Sequence, residues 1–224
     1  MKDRGLFATI LAAMVVFLLQ AAPARAGVLR HYTFDTDYTD SSASPMHGTL
    51  SDVSPTGNSG ITNVAGLYAF GGGAFNISGD RDTVSIPAVV FTTGSTWSVS
   101  CWARMDPAPS NNNNGMLIGK IGNSTDFLWV NQAPGGFRYR SSSNQNANFS
   151  TSAGNNWLNT AWHHYVLVAS DADIDGVSDD FTLYVDNMLV NTVNSISTGI
   201  ELSSIGDAYT GGLNVDFQGQ IDEM

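Results

Sequence analysis

The acidic run between residues 171 and 180 carries the side chains best suited to bind an ion. Its sequence is Asp171-Ala172-Asp173-Ile174-Asp175-Gly176-Val177-Ser178-Asp179-Asp180. Aspartates at alternate positions followed by a glycine are typical of the first half of a calcium loop, in which oxygen ligands surround a hard cation. The predicted ligands are the side chains of Asp171, Asp173, Asp175 and Asp179 and the carbonyl group of Val177. The alternative interpretation is a solvated acidic turn that holds no metal.

The end of this run differs from a helix–loop–helix calcium site. Such sites carry a bidentate glutamate at the twelfth position of the loop. Here that position is Thr182, at the start of a run that is predicted to be a strand. We therefore expect a structural calcium site that is set into a turn between two strands.

Catalytic carboxylates are scarce in this sequence. A retaining glycosidase needs two carboxyl groups about 5–5.5 Å apart, and the only glutamates, Glu201 and Glu223, are 22 residues apart. His163 and His164 are neighbours in a predicted strand, so their rings point to opposite faces and cannot share one ion. No serine elbow for a Ser-His-Asp triad is evident. The sequence predicts a binding protein and not an enzyme, with a glycoside hydrolase as the least favoured alternative.

Several aromatic, amide and guanidinium side chains are suited to bind a sugar. Aromatic rings stack on the apolar face of a sugar, and polar side chains hydrogen-bond its hydroxyl groups. Two other tryptophans, Trp97 and Trp162, are assigned to the core. The predicted ligand-binding residues are Trp129, Asn131, Arg138, Arg140 and Trp157. The alternative is that these side chains only pack the fold.

The segment Trp97–Met105 alternates between two faces. Cys101 lies on one face with Ala103 and is predicted to be a buried, inert thiol. As the only cysteine it can form no intrachain disulfide. Trp102 lies on the opposite face with Arg104 and is predicted to line the open surface of a sheet.

The N-terminus has the three parts of a secretory signal peptide. Basic residues precede an apolar run from Leu6 to Leu19, and small residues follow at Ala24 and Ala26. The alternative is a retained anchor, but the run is shorter than the roughly 18–20 residues that span a bilayer. We expect residues 1–26 to be removed and residues 27–224 to form one domain, secreted or displayed on the cell surface without membrane insertion.

Net charge excludes two classes of partner. The formal net charge is −11. The signal peptide contains three basic residues and one acidic residue, so the mature chain carries about −13. Such a field repels nucleic-acid phosphates and anionic lipids. We expect a glycan or another cell-surface ligand as the partner.

Short runs with an apolar period of two, separated by Gly, Asn, Asp, Ser and Pro clusters, predict an all-β protein. Asp186 and Asn187 are predicted to form a two-residue hairpin turn, and residues 141–156 a loop. About a dozen strands at this spacing predict a two-sheet antiparallel β-sandwich. The predicted strands are Val28–Phe34, Tyr68–Phe70, Thr83–Ile86, Trp97–Met105, Met116–Ile121, Phe127–Asn131, Gly136–Arg140, Trp162–Ala169, Phe181–Val185, Met188–Val193 and Phe217–Ile221.

Five short sequence motifs follow one another along the chain. They are His31-Tyr32-Thr33-Phe34-Asp35 with its loop to Leu50, Trp97–Arg104, Trp162-His163-His164-Tyr165-Val166-Leu167-Val168, Phe181-Thr182-Leu183-Tyr184-Val185-Asp186, and Phe217-Gln218-Gly219-Gln220-Ile221-Asp222-Glu223. Together they resemble the laminin-G-like jelly-roll domains of bacterial secreted proteins, in the concanavalin A-like lectin and glucanase superfamily. Asn187 stands where that family usually has glycine. The resemblance spans Val28 to Met224 and implies a concanavalin A-like jelly roll.

The resemblance also implies a second structural calcium ion. Domains of this family often hold one where the first loop meets the closing strand, and the matching positions are Asp40 and Asp222, with Asp35 a weaker match. The alternative is that these residues are capping or surface aspartates. The family's chain continues past the closing motif, whereas this chain stops at Met224. Either the last strand closes short or the sequence is a truncated product.

These features predict a secreted carbohydrate-binding or adhesion module in which calcium is structural. The main alternative is a structural or protein-interaction domain of a cell-surface protein that has no sugar affinity. The expectation of sugar binding rests on the family resemblance and not on any single motif.

Overall fold

The computed structural model describes most of the predicted mature domain, namely residues 27–51, 59–78, 82–105, 114–123, 125–131, 136–150, 160–171, 174–206 and 217–224. For residues 114, 129, 131 and 150 it describes the backbone. The predicted signal peptide, residues 1–26, lies outside the described residues. No helix in the described part of the chain could cross a membrane.

The regular elements of the described residues are fourteen strands. They are β1 (Thr49–Ser51), β2 (Gly60–Thr62), β3 (Ala74–Ile77), β4 (Thr83–Phe91), β5 (Trp97–Met105), β6 (Asn114–Gly119), β7 (Phe127–Asn131), β8 (Gly136–Arg140), β9 (Asn146–Ser150), β10 (His163–Ser170), β11 (Asp180–Val185), β12 (Met188–Val193), β13 (Ile200–Ile205) and β14 (Gly219–Asp222). The bounds of β5, β7, β8 and β12 match the sequence prediction.

The strands form two antiparallel sheets of seven strands each. The first sheet has the order β1-β4-β13-β6-β7-β8-β9, and the second has the order β12-β11-β10-β5-β14-β3-β2. Strands β5 and β10 lie in the middle of the second sheet and pair over seven residues. This architecture confirms the predicted β-sandwich. Each sheet turns one face to the shared core and leaves the other face open.

The core fills the space between the two sheets with alternate residues of each strand. Tyr139 of the first sheet stacks on Phe181 of the second at 4.0 Å between ring centroids. The indole Nε1 of Trp97 donates a hydrogen bond to the carbonyl oxygen of Thr198. Cys101 is buried as predicted, and burial raises the pKa of its thiol to about 12. A thiol at that pKa is almost never a thiolate at neutral pH, so it is inert.

Two strands predicted near the N-terminus are wrong. Val28–Phe34 forms no strand: Tyr32 makes an isolated bridge with Asp40 and exchanges two backbone hydrogen bonds with Met224, and Tyr68–Phe70 is a bend. Aspartate carboxylates accept some of the amide hydrogens of these two segments. Asp40 accepts from His31, and Asp222 accepts from Phe70. Side chains of this kind compete with a sheet ladder for the backbone.

Other strands were not predicted, because pairing with neighbouring strands, and not their own sequence pattern, makes them strands. The range 141–156 is polar and was predicted to be a loop, yet it contains β9, which pairs with β8 along its whole length. Strand β13 was not predicted, and it lies between β4 and β6 in the first sheet. Strands β1, β2 and β3 have at most four residues each, too few to show a period.

The hairpin between β11 and β12 confirms the predicted turn. Asp186 and Asn187 have φ angles of 50° and 63°, the left-handed conformation that such two-residue turns require. The Asp186 carboxylate accepts the backbone N–H of His164 and lies 2.6 Å from Nδ1 of His163. The turn is thereby tied to the start of β10, the neighbouring strand of the second sheet.

Candidate functional site

The open face of the first sheet gathers the arginines that were predicted to bind a ligand. In β8, Phe137 and Tyr139 point into the core, so Arg138 and Arg140 alternate with them onto the open side. The register pairs position 138 with positions 129 and 148, and position 140 with 127 and 146. We call the open surface formed by Arg138, Arg140, Asn146, Asn148 and positions 129 and 131 the arginine face.

The side chains on the arginine face are held in defined positions. Nε of Arg138 donates a 2.8 Å hydrogen bond to Oδ1 of Asn148 on the neighbouring strand. The guanidinium carbon of Arg140 lies 5.9 Å from the ring centroid of Phe127, which is buried outside the core cluster. A guanidinium that is fixed in this way can bind hydroxyl or carboxylate oxygens with less entropy loss.

Four of the five predicted ligand-binding residues thus share one face by register. The backbone places Trp129 directly opposite Arg138, and Asn131 is the next position of β7 with the same parity. The side chains of Trp129 and Asn131 are outside the described part of the structure, and so is the whole of Trp157. The structure therefore brings Arg138 and Arg140 together and leaves the predicted stacking ring untested.

A buried carboxylate supports this face from its end. Asp126 is 2% exposed and has a φ angle of 63°. Its Oδ1 accepts hydrogen bonds from the backbone N–H of Glu201 and from the hydroxyl of Ser142, and its Oδ2 accepts from the hydroxyl of Thr125. Asp126 therefore ties the β6–β7 turn to strand β13 and to the β8–β9 turn. Motif reasoning did not find it, because nothing in the sequence distinguishes it from a loop aspartate.

The open face of the second sheet carries a different group of side chains. Trp102 of β5 is in register with His164 of β10, and their rings stack at 5.1 Å with an angle of 19°. Phe70 meets Trp102 from a turn outside the sheet, at 5.1 Å and 75°. Phe70 is 50% exposed. We call the open surface formed by Phe70, Trp102, His164 and Arg104 the aromatic face.

Asp222 fixes the turn that carries Phe70. It lies opposite Trp102 on β14, and its Oδ2 accepts the backbone N–H groups of Ala69 and Phe70 at 2.8 and 2.9 Å. Burial raises the pKa of this carboxyl group, in spite of the hydrogen bonds that lower it. Since β10 and β14 flank β5, His164 and Phe70 approach Trp102 from opposite sides.

Sequence reasoning found this second face only in part. Trp102 and Arg104 were correctly placed on an open surface by their alternation, but Phe70 was assigned to a strand and His164 was not connected with Trp102. Trp162 was assigned to the core, whereas it is half-buried and lies outside the core cluster. The aromatic face depends on the pairing of β10 with β5, which no local sequence pattern predicts.

The predicted calcium loop is described only in part. Asp173 lies outside the described residues. The carboxylate of Asp171 accepts backbone N–H groups from Asp175 and Gly176, at 3.0 and 3.1 Å. Asp175 in turn accepts the N–H of Val177 at 2.8 Å. The loop therefore folds around Asp171, and the binding of calcium by it stays a prediction.

The other predicted calcium ligands are Asp40, Asp35 and Asp222. Both carboxylate oxygens of Asp40 accept backbone N–H groups, from His31, Ser42 and Met46. Burial alone would raise the pKa of Asp40, but these hydrogen bonds lower it to about 2. Asp40 therefore acts as a cap that holds the segment around it, and little capacity remains for a metal.

Asp35 and Asp222, by contrast, hold the same turn. Asp35 accepts the N–H of Gly72, two residues from the amide of Phe70 that Asp222 accepts. Oδ1 of Asp222 is buried without a hydrogen-bond partner among the described residues. A Cβ atom at Gly71 would clash with the Asp35 carboxylate. Asp35 and Asp222 therefore hold one turn, and calcium binding there stays a prediction.

The described residues contain no group of three or more His, Cys, Asp or Glu side chains that could hold a metal ion. Any site at Asp35 and Asp222 would therefore need backbone or water oxygens to complete it. Both calcium sites therefore stay predictions.

Comparison with known families gives the class of the protein. Two seven-stranded antiparallel sheets around one core define a concanavalin A-like β-sandwich. The model of the Laminin_G_3 family, described as Concanavalin A-like lectin/glucanases superfamily, matches residues 78–224. The chain belongs to this family. No curated protein sequence matches it.

Solved structures with the same fold are distant in sequence. Domain 4 of AbnA, a GH43 extracellular arabinanase from Geobacillus stearothermophilus in complex with arabinotriose, is 14% identical with a TM-score of 0.57, over 88% of this chain and 90% of that one. The binding domain of Paraclostridial Mosquitocidal Protein 1 is 12% identical with a TM-score of 0.57, over 88% and 48%. The binding domain of Botulinum Neurotoxin DC in complex with SialylT is 15% identical with a TM-score of 0.52, over 88% and 46%.

These identities show a shared fold and no more. The chain spans about half the length of the two toxin chains and nearly the whole of the arabinanase domain.

Proposed function

We propose that this protein is a non-catalytic carbohydrate-binding module of an exported protein. The observation that carries the proposal is the arginine face, where the strand register collects four of the residues that are suited to bind a sugar. Guanidinium and amide groups there can hydrogen-bond the hydroxyl groups of a glycan. Two solved structures with this fold, one in complex with arabinotriose and one in complex with SialylT, support the same class of ligand.

The two glutamates support a binding role. Glu201 lies in the first sheet and accepts a 2.7 Å hydrogen bond from Lys120, whereas Glu223 follows β14 of the second sheet and lies 2.7 Å from His31. Each glutamate is engaged by a basic side chain, and the two glutamates belong to different sheets. They do not form the close carboxyl pair that a retaining glycosidase places around one bond.

Glycan binding is tested on an array in calcium-containing buffer, followed by calorimetric titration with arabinotriose and with the glycans that bind. We expect saturable binding, and Arg138→Gln to weaken the binding at the arginine face by roughly tenfold to a hundredfold, because hydrogen bonds to charged groups contribute about 1.5–3 kcal/mol. Trp129→Ala and Trp157→Ala test the predicted stacking rings. Asn191→Ala, an exposed position on β12, is the control and should bind normally.

Two results would contradict this function. A protein that melts normally but binds no glycan would favour a protein-interaction domain. Release of reducing sugar from β-glucans would favour a hydrolase.

We also propose that calcium stabilises the fold at two places. Asp171, Asp173, Asp175, Asp179 and the carbonyl of Val177 would form the first site. Asp35 and Asp222 would contribute carboxylate oxygens to the second. Calcium would fix loop geometry and take no part in a reaction. An ion that binds only the folded state raises its stability, by about 2.7 kcal/mol at a hundred times the dissociation constant. Melting curves in calcium and in chelator test this, and identical curves would contradict both sites.

Export is the third part of the proposal. Cleavage before Gly27 is expected from the signal-peptide pattern at residues 1–26. Mass spectrometry of the secreted protein should find Gly27 at its N-terminus. An intact N-terminus on membrane-bound protein would indicate an anchor.

A further inference from the structure

Charge is distributed unevenly between the first sheet and the rest of the chain. The sequence has 20 acidic residues against 9 basic ones, yet residues 127–170 contain no aspartate or glutamate. Strands β7, β8 and β9 lie wholly within this range. Among the described strands of the first sheet, β13 alone holds an acidic residue, Glu201. The arginine face is therefore a basic area on an acidic protein.

The two acidic residues beside this area are engaged by other groups. Oε2 of Glu201 accepts a 2.7 Å hydrogen bond from Nζ of Lys120, which also neutralises its charge. Asp126 is 2% exposed, and its two carboxylate oxygens accept three hydrogen bonds. Among the described residues, neither carboxylate forms an ion pair with Arg140.

The two arginines lie close together and point the same way. They are two residues apart in β8, which separates their Cα atoms by roughly 7 Å along the strand. Nε of Arg138 donates to Oδ1 of Asn148, and the guanidinium of Arg140 lies over the ring of Phe127. Both arginines are partly exposed. A partly buried cation gains stability from an anion that reaches it, because burial has removed part of its hydration.

We propose that the arginine face selects acidic saccharides, namely those whose sugar units carry a carboxylate. The carboxylate would accept hydrogen bonds from Arg138 and Arg140, and the exposed amides of Asn146 and Asn148 would contact the hydroxyl groups. A guanidinium matches the geometry of a carboxylate, and such charge-assisted hydrogen bonds are about twice as strong as those between neutral groups.

The negative charge of the whole chain does not prevent this contact. Charges that are separated by more than about 8 Å are largely screened at physiological ionic strength, whereas a carboxylate in contact with a guanidinium is not. Nucleic acid carries one charge per roughly 1.7 Å of helix axis. An acidic saccharide carries at most about one charge per sugar unit, so the distant aspartates repel it much less.

This inference rests on the proposed function, because it requires a protein that binds glycans. It deepens that proposal by naming the chemical class of the ligand at the same site. A carboxylate can come from a uronic acid or from a sialic acid, and the probes below distinguish these two sources.

Pairs of ligands that differ only in the charge of the carboxyl group test the selectivity. The strongest binders on the glycan array should carry carboxylates. Calorimetry then compares trigalacturonic acid with its methyl ester, and sialyllactose with its methyl ester. The acid of at least one pair should bind about tenfold more tightly than its ester.

Variants assign that preference to the arginine face. Arg138→Gln and Arg140→Gln should each reduce the ratio of acid to ester affinity by about fivefold to tenfold, and Arg140→Lys should keep part of it because the charge remains. Arg104→Gln is the matched control, since it removes the same charge from the second sheet, and it should keep the full ratio. Melting curves show which variants are folded.

The outcomes separate this inference from the proposed function. Saturable binding of neutral glycans, with equal affinity for acid and ester, would overturn the acidic ligand and leave the carbohydrate-binding function intact. A preference for acids that Arg104→Gln reduces as much as Arg140→Gln does would also overturn it, since the preference would then come from overall charge. The absence of binding by every glycan would contradict both proposals.

Discussion

The two open faces of the sandwich differ in their side chains and in how far apart their strands lie in the sequence. The arginine face belongs to consecutive hairpin strands, β7 to β9, and its residues lie within 25 positions of one another in the chain. The aromatic face brings together Phe70, Trp102 and His164, with a turn and two strands that are far apart in sequence. A face made by one hairpin run can be recognised in the sequence, whereas a face made by distant strands becomes visible only in the fold.

Each face also depends on its own buried carboxylate. Asp126 supports the arginine face and is fully used, since it accepts three hydrogen bonds. Asp222 supports the aromatic face with one oxygen and leaves the other without a partner. The same type of residue therefore contributes differently: both oxygens of Asp126 accept hydrogen bonds, whereas Asp222 holds its turn through Oδ2.

The largest effect is expected from Asp126→Ala. The change leaves the donors of Glu201, Ser142 and Thr125 without their acceptor, at a cost of about 3 kcal/mol in the free energy of unfolding. Urea denaturation measures this loss. Asp37→Asn is the control, because Asp37 is exposed and bonds only to Thr39 nearby. Equal stability of the two variants would show that the arginine face does not depend on Asp126.

A pH dependence at Asp40 gives a reference that involves neither face. Its pKa is lowered from 3.8 to about 2, so the folded state favours the charged form. This contribution is present above pH 4 and is lost as the pH falls toward 2. We expect Asp40→Asn to cost about 2 kcal/mol at pH 7 and much less at pH 2.5. Urea denaturation at both pH values checks this, and a difference that does not shrink in acid would be inconsistent with it.

Asp222→Asn should have effects of opposite sign in two buffers. In chelator, burial makes the charge of Asp222 unfavourable, as its raised pKa shows. The uncharged amide of the variant should therefore leave the free energy of unfolding unchanged or raise it by up to about 1 kcal/mol. In calcium, the wild type should gain stability that the variant lacks. Calorimetric melting of both proteins in both buffers measures the difference. A variant that is less stable than wild type in both buffers by the same amount would argue against a cation at this turn.

The smallest effect on stability is expected from Arg138→Gln. Its side chain lies on the open side of the sheet, so the free energy of unfolding should change by no more than about 0.5 kcal/mol. Its effect on glycan binding should be much larger. A large loss of stability, measured by urea denaturation, would mean that Arg138 packs the fold and does not bind a ligand.

Some parts of this architecture were predictable because they depend on local pattern. The alternation in Trp97–Met105 placed Cys101 inside and Trp102 outside, and both placements are confirmed. The turn at Asp186 and Asn187 follows from residues that tolerate a positive φ angle. The β-sandwich was predicted from the spacing of short strands and from five ordered motifs, and the family match confirms it.

Other parts were not predictable, because a distant partner decides them. Strand β9 has a polar sequence, and only its pairing with β8 makes it a strand. Tyr68–Phe70 is apolar enough for a strand, yet Asp222, more than 150 positions later, fixes it as a turn. The alternation of apolar residues gives no information about which strands become neighbours.

The sequence alone determined the fold class, the acidic charge and the scarcity of catalytic glutamates, because composition and the period of two are properties of the chain itself. Only the tertiary structure decided which polar groups share a surface. It placed Arg138 beside Asn148, and it set Trp102 between Phe70 and His164. These contacts come from the order of strands in each sheet, which is selected by burial of the whole core and not by any local segment.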